Sequence, residues 1–166
     1  TPITTPSSPA PSPTPTYGPN QTAALATVTA YYAWWNTARK NPLDPKFSEL
    51  EKVTTSSAYT KITPHPLGDI SDLGSFGNRQ VGDMVVTQMV PTADNAARIP
   101  VTLCLDRTGT KVVNASGATV DPIDANTGAT IPASQAFTRS SYFAVVTSFP
   151  DGRWLITEIA GGKTSC

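Results

Sequence analysis

The sequence predicts an α+β domain in which helices come first and a run of antiparallel strands follows. Three observations carry this. Apolar residues recur at steps of three and four between Asn20 and Ile62, and after Gln80 the period changes to two. Near the end, Pro150-Asp151-Gly152 is a strong turn sequence between two strand-like runs. The opening segment is different. Fifteen of the first 19 residues are Pro, Ser or Thr, and no charge occurs before Arg39. Such a run cannot bury enough apolar surface to offset its ordering entropy. The chain therefore divides into a flexible stalk at 1–19 and one domain at 20–166, a length that supports a normal core.

Asn20 to Arg39 reads as a long helix. Leu25, Val28, Tyr32 and Trp35 form an apolar stripe, and Tyr31 and Trp34 widen it, so this helix should lie against a broad surface. Asn20 or Thr22 would cap its start, and Asn41-Pro42 stops it because the residue before Pro avoids the α region. Pro45 to Val53 and Thr55 to Ile62 read as two shorter helices, with Pro45 in a first turn and Phe47, Leu50 and Val53 stepping by three. Thr63 to Arg79 is a loop rich in Pro, Gly, Asp and Ser.

In the strand that follows, Val81, Val85 and Met89 share a face, although Val86 and Val90 blur the alternation. Across a connection at Pro91 to Ala97, Ile99, Val101, Leu103 and Leu105 share a face of the next strand. Thr110 to Val113 is a short third strand. Residues 114–134 form a polar loop with two similar turns, Gly117-Ala-Thr-Val and Gly128-Ala-Thr-Ile. Phe137 to Ser148 and Arg153 to Ala160 close the chain as a hairpin. The long helix should pack on the concave face of the curved sheet.

Lys plus Arg and Asp plus Glu number 12 each, and the densest basic cluster is Arg39-Lys40. This neutrality argues against nucleic acid and anionic membrane surfaces as partners, since both need clustered cations. No stretch approaches the ~20 apolar residues of a membrane span. The chain opens at Thr1 without a Met, which removal of an export signal would explain, as would trimming. A lipoprotein signal would place the lipidated Cys just before Thr1, making a lipid anchor the sole membrane attachment expected. An uncharged Pro/Ser/Thr stalk usually holds a domain away from a membrane or wall, so the expected location is extracellular or at the cell surface.

The two cysteines, Cys104 and Cys166, fit an exported protein with one disulfide, the alternative being two free thiols in a reducing compartment. A chain-terminal Cys has little use as a core residue, which favours the bridge. Closing that loop would stabilise the fold by about 4 kcal/mol in the chain-entropy account.

The order of elements and the aromatic first helix, Ala30-Tyr31-Tyr32-Ala33-Trp34-Trp35, resemble the NTF2-like superfamily, which includes SnoaL-like and ketosteroid-isomerase-like proteins. The resemblance covers about residues 20 to 160 and implies a cone: a long helix and two short ones against a bent antiparallel sheet. A narrower resemblance rests on Val101-Thr-Leu-Cys104-Leu-Asp106, Lys111-Val-Val113, Gly117, Asp151-Gly-Arg-Trp154-Leu-Ile and the closing Cys166. These look like secreted, Pro/Ser/Thr-tethered lipoproteins of high-GC Gram-positive bacteria, and that resemblance implies a Cys104–Cys166 pairing.

Enzymes of this superfamily combine a helix Tyr with a sheet Asp or His for acid/base chemistry beside a carbonyl. The resemblance thus makes Tyr31 or Tyr32 with Asp83 the catalytic candidates. Asp83 is in phase with Val81 and Val85 and would point inward, where burial would raise its pKa; Asp106 shares the outward face of Cys104. The blander reading makes the tyrosines core or rim aromatics and puts Asp83 beside a turn. Lone His65, between two prolines, suits an exposed loop, and no G-x-S-x-G elbow accompanies it. Asp124-Ala-Asn126-Thr-Gly128 echoes a calcium loop but lacks its distal Glu, so it reads as a polar turn. Neither a metal nor a cofactor is expected.

Trp34 and Trp35 stand about 100° apart on a helix, so one should fill the core while the other lines a pocket or meets a partner. With Tyr31 they are the binding candidates. The expected function is a non-catalytic cell-envelope module that binds a protein partner or a small apolar ligand through its cone or sheet. The alternatives are a ketosteroid-isomerase-like or dehydratase-like enzyme, and a structural subunit of a secretion or surface assembly.

Overall fold

The computed structural model describes residues 15–62, 73–74, 76–92, 96–123, 127–161 and 164–166. The expectations for residues 1–14 of the stalk, for His65 and for the Asp124/Asn126 turn lie outside these. Helix α1 spans Pro19–Lys40. Its cap is Gly18 rather than Asn20 or Thr22. The Gly18 N–H donates to Gln21 Oε1 at 3.0 Å, and its carbonyl accepts from the Thr22 amide and hydroxyl. Pro19 then takes the first helical position, where a missing N–H leaves nothing unpaired. The buried stripe runs through Ala24, Val28, Tyr31, Tyr32, Trp34 and Ala38, with Leu25 and Trp35 only partly buried beside it. Its centre is therefore rotated from the predicted line toward Tyr31.

Helices α2 (Phe47–Leu50) and α3 (Ser56–Ile62) are shorter than predicted. Pro45 does not open a helix, because Lys46 after it adopts a left-handed conformation (φ 54°). Phe47, Leu50 and Val53 nevertheless all pack on the core. Between the two helices the chain pairs with the sheet: the Ile156 amide donates to the Val53 carbonyl at 2.8 Å, and the Thr55 amide to that of Ile156 at 3.1 Å. This covers part of an edge that would otherwise offer free hydrogen-bonding groups.

The strands are β1 (Arg79–Val81), β2 (Val85–Pro91), β3 (Arg98–Asp106), β4 (Lys111–Val113), β5 (Thr119–Val120), β6 (Arg139–Ser148) and β7 (Trp154–Gly161). A short helix, α4 (Ala133–Ala136), lies in the segment read from sequence as loop. The strands form two antiparallel sheets, ordered β2-β3-β6-β7 and β1-β4-β5. The predicted strand through Val81, Val85 and Met89 is thus two strands in two sheets. Gly82 makes the break: its φ is +79°, and a Cβ there would lie 2.2 Å from the Gly109 carbonyl oxygen. Beyond it Asn36 clamps the backbone, accepting from the Met84 amide at 2.8 Å and donating to the Met84 carbonyl at 2.9 Å. Met84 is buried, so neighbouring Asp83 turns outward. A register irregularity between Val86 and Gln88 then brings Val86 and Met89 onto the core and leaves Val85 53 % exposed.

β3 follows the prediction. Ile99, Val101, Leu103 and Leu105 are buried and face α1, while Thr102 and Asp106 lie on the opposite face with Cys104. Cys104 is bonded to Cys166, with 5.9 Å between their Cα atoms. The Ser141 amide donates to the Thr164 carbonyl at 2.8 Å, so the tail is also held to β6. On the same face Arg98 and Glu158 pair at 2.6 Å and cross β6 between Val145 and Thr147. The β6–β7 turn forms as its sequence predicts, with Gly152 at φ +83° and the Phe149 amide donating to the Arg153 carbonyl. No helix among the described residues is long and apolar enough to cross a membrane.

Candidate functional site

The C-terminal half of α1 faces β1, the end of β3 and β6, and there the core turns polar and aromatic. Tyr31 and Tyr32 are 2 % and 5 % exposed, with ring centroids 5.0 Å apart edge to face. Tyr142 on β6 lies 6.5 Å from Tyr32, also edge-on. The Tyr31 hydroxyl accepts from the Trp35 indole N–H at 2.8 Å. Burial pushes the pKa of both tyrosines well above the ordinary phenol value, so each stays protonated at any physiological pH.

The two tryptophans separate as their helical positions require. Trp34 is 5 % exposed, and its indole N–H donates to the carbonyls of Pro45 (2.8 Å) and Lys46 (3.0 Å). It holds the approach to α2 and has no surface to offer a ligand. Trp35 is only partly buried and lies beneath the Arg39 guanidinium, 5.7 Å from its ring centroid. Besides the Trp34 ring, 5.8 Å away, it meets a phenol and a cation, so Trp35 belongs to the polar end of the interior.

Arg39 is buried, and its Nε donates to Gln80 Oε1 on β1; Gln80 in turn donates to the Gly82 carbonyl at 3.1 Å. Desolvation, helped by the charge of Arg107, pushes the Arg39 pKa down to about 10. Arg107, just past β3, is partly buried, and its charge also reaches Tyr32, opposing the rise in that phenol's pKa. Its Nε is buried and has no hydrogen-bond partner. A buried donor left unpaired costs about 1–3 kcal/mol.

Asp83 is not in this group. It is exposed and paired with Lys40 at 2.5 Å, so the inward-facing carboxylate expected from strand phase is not formed by this residue. The cause is the break at Gly82, which ended the alternation used to orient it. Asp106 lies on the outer face as expected. The Thr108 hydroxyl and amide donate to it at 2.6 and 2.9 Å and hold its carboxyl below the usual range. The other described carboxylates are also elsewhere: Asp44, Glu49, Asp151 and Glu158 pair with surface cations, and Glu51 and Asp121 are exposed. Among the described residues no group of His, Cys, Asp or Glu could hold a metal.

Sequence reasoning missed Arg39, Gln80, Arg107 and Tyr142. Arg39 read as the basic end of a helix, and nothing in the local pattern singled out Arg107. An alternation count along β6 places Tyr142 with Ala144 and Val146 on the inner face, and that was the available signal. A separate open groove of about 610 Å³ lies between the α2–α3 segment and the β6–β7 turn, lined by Glu51, Thr55, Tyr59, Phe149, Arg153 and Leu155 among others.

Solved structures resemble this arrangement. A ketosteroid isomerase-like protein from Shewanella frigidimarina superposes with a TM-score of 0.51 at 12 % identity, covering 89 % of this chain and all of the other. This chain has the ketosteroid-isomerase-like (NTF2-like) fold. The intermembrane space region of the chloroplast protein ARC6 is similar at a TM-score of 0.49 and 14 % identity, over 86 % of this chain and 95 % of that one. No protein-family model and no curated protein sequence matches the chain. At these identities the NTF2-like likeness concerns the fold, not the chemistry.

Proposed function

We propose that this NTF2-like domain is a non-catalytic binding module of the cell envelope, which takes a small, largely apolar ligand into the polar-aromatic end of its cone. The observation that carries this reading is the composition of that end. Tyr31, Tyr32, Trp35 and Tyr142 supply apolar surface with hydrogen-bonding tips, Arg107 supplies an unused donor, and no described carboxylate faces them. Small-molecule sites combine mostly apolar walls with a few convergent polar groups in this way. An isomerase or dehydratase needs a base to take a proton from carbon, and Asp83 is committed to Lys40 on the surface. The Cys104–Cys166 bridge supports an oxidising location, as a Pro/Ser/Thr-tethered lipoprotein of a Gram-positive envelope would have.

The test is a fluorescence titration with the uncharged apolar probe N-phenyl-1-naphthylamine. Saturable binding, weakened several-fold in Trp35→Leu and unchanged in Phe143→Ser on the outer face, is the expected result. An absence of binding would sink the reading.

A second reading has its own observation. Val90, Thr102, Phe143 and Ala160 are aligned by register across all four strands of the larger sheet on its outward side. Val90 and Phe143 are 43 % and 40 % exposed. This row supports docking of a protein partner, as in a structural subunit of a surface assembly. A Phe143→Ser variant that loses a cross-linked partner on its native cell surface while keeping probe binding would select this second surface.

A further inference from the structure

The interior of the cone carries a donor that its own residues do not use. Around it, polar groups are matched: Trp35 to Tyr31, Arg39 to Gln80, and Gln80 to the Gly82 carbonyl. The Arg107 Nε is the described buried side-chain donor without a partner. The backbone on either side is fixed, since the Arg107 amide donates to the Thr138 carbonyl and the Arg107 carbonyl accepts from the Thr110 amide and hydroxyl. The backbone of Arg107 is therefore fixed at the end of β3, and the side chain leaves it with its Nε buried.

From this geometry we infer that the ligand of the cone is an amphipathic anion, an apolar body ending in a carboxylate or sulfonate that accepts a hydrogen bond from Arg107 Nε. The inference rests on the binding reading above and adds the ligand's charge. A guanidinium suits such an oxyanion because its N–H groups diverge in one plane and match paired oxygens. Tyr32 lies within reach of the Arg107 charge, and burial keeps this phenol from ionising against an incoming anion. Arg39 and Arg107 lie close enough to repel. An anion bound to Arg107 would relieve that repulsion, whereas a cationic ligand would add to it.

The experiment compares two probes with the same aromatic skeleton. 8-Anilinonaphthalene-1-sulfonate carries an anionic sulfonate, and N-phenyl-1-naphthylamine lacks it. On the intact, oxidised domain the sulfonate probe should bind about tenfold or more tightly than the neutral one, the size expected of a charge-assisted hydrogen bond. In Arg107→Met, which keeps the apolar stem and removes the guanidinium, that preference should vanish, with the loss falling on the sulfonate probe. Near-UV circular dichroism would establish that the variant retains its packing. Wild-type protein that binds both probes equally would overturn the anion inference and leave the binding module intact. Wild-type protein that binds neither would remove both. Because the wild-type comparison needs no variant, the inference remains testable even if Arg107→Met fails to fold. A preference that survives in folded Arg107→Met, or one abolished by Phe143→Ser, would place the anion elsewhere and overturn the assignment to Arg107.

Discussion

The two faces of the β3–β6 pair are stabilised by different physics. Toward α1 the sheet presents Ile99, Val101, Leu103 and Leu105, with Ala144 and Val146 across from them, all buried in one cluster. Away from α1 the same strands present Thr102, Phe143 and Arg139 to solvent, and the face is held by a disulfide and ion pairs. The inner face is secured by many weak contacts that depend on shape. The outer face depends on a few specific bonds, each with a single point of failure. Apolar packing secures the face that α1 covers, and crosslinks reinforce the face turned away from it.

The comparison is broken most severely at the crosslink. Cys166→Ser should lower unfolding free energy by about 4 kcal/mol, read as a fall in the urea midpoint that added reductant does not deepen. A wild-type midpoint insensitive to reductant would show that the outer face does not need its bridge. Leu103→Ala on the inner face should cost about 3 kcal/mol through the cavity it leaves, with no dependence on reductant. Where the faces meet, Gly161 sits at φ +126°, and a Cβ there would lie 2.6 Å from the Ser141 carbonyl oxygen. Gly161→Ala should therefore cost about 2 kcal/mol or more from backbone strain, seen as a drop in melting temperature. At the small end, Arg98→Ala removes an exposed pair and should cost under about 1 kcal/mol, falling toward zero at high salt.

A pH experiment sharpens the same contrast. Tyr31 and Tyr32 have folded-state pKa values raised above their unfolded value of 10.0. The unfolded chain then loses those protons first as pH rises past 10, so the stability they confer is complete below that value and is lost above it. Their phenolate absorbance near 295 nm should appear together with unfolding, and Tyr32→Phe should shrink that step. A smooth titration ahead of unfolding would contradict their burial. Asp106, on the outer face, has a lowered pKa, so its small contribution is present at neutral pH and is lost in acid.

The two faces were also unequally legible in the sequence. β3 was readable because four apolar residues alternate without interruption, and the terminal Cys had one plausible mate. The break between β1 and β2 was not readable. It depends on Gly82 meeting the carbonyl of Gly109, a contact between residues whose proximity only the fold creates. The alternation misplaced the neighbouring residues there: Val85 points out, Val86 packs on the core and Asp83 is on the surface, while Met89 keeps the expected inward face. In the helix, the adjacency of Trp34 and Trp35 implied one core and one accessible ring. Which was which depended on the carbonyls of Pro45 and Lys46, supplied by a segment the helix pattern does not describe. Arg107 carried no local signal, since a cation following a strand ordinarily faces water.

The bridge between Cys104 and Cys166 has a mechanical consequence. Tension applied between residue 15 and residue 166 passes through the sulfur atoms and bypasses the 62 positions that separate the two cysteines. Under load, α1 through β2 and most of β3 would peel away, while β4 to β7 would carry no force. At about 3.5 Å per extended residue, the oxidised domain should stop lengthening roughly 200 Å short of the reduced one in an optical trap. That is a built-in limit on how far a pull can unravel the domain.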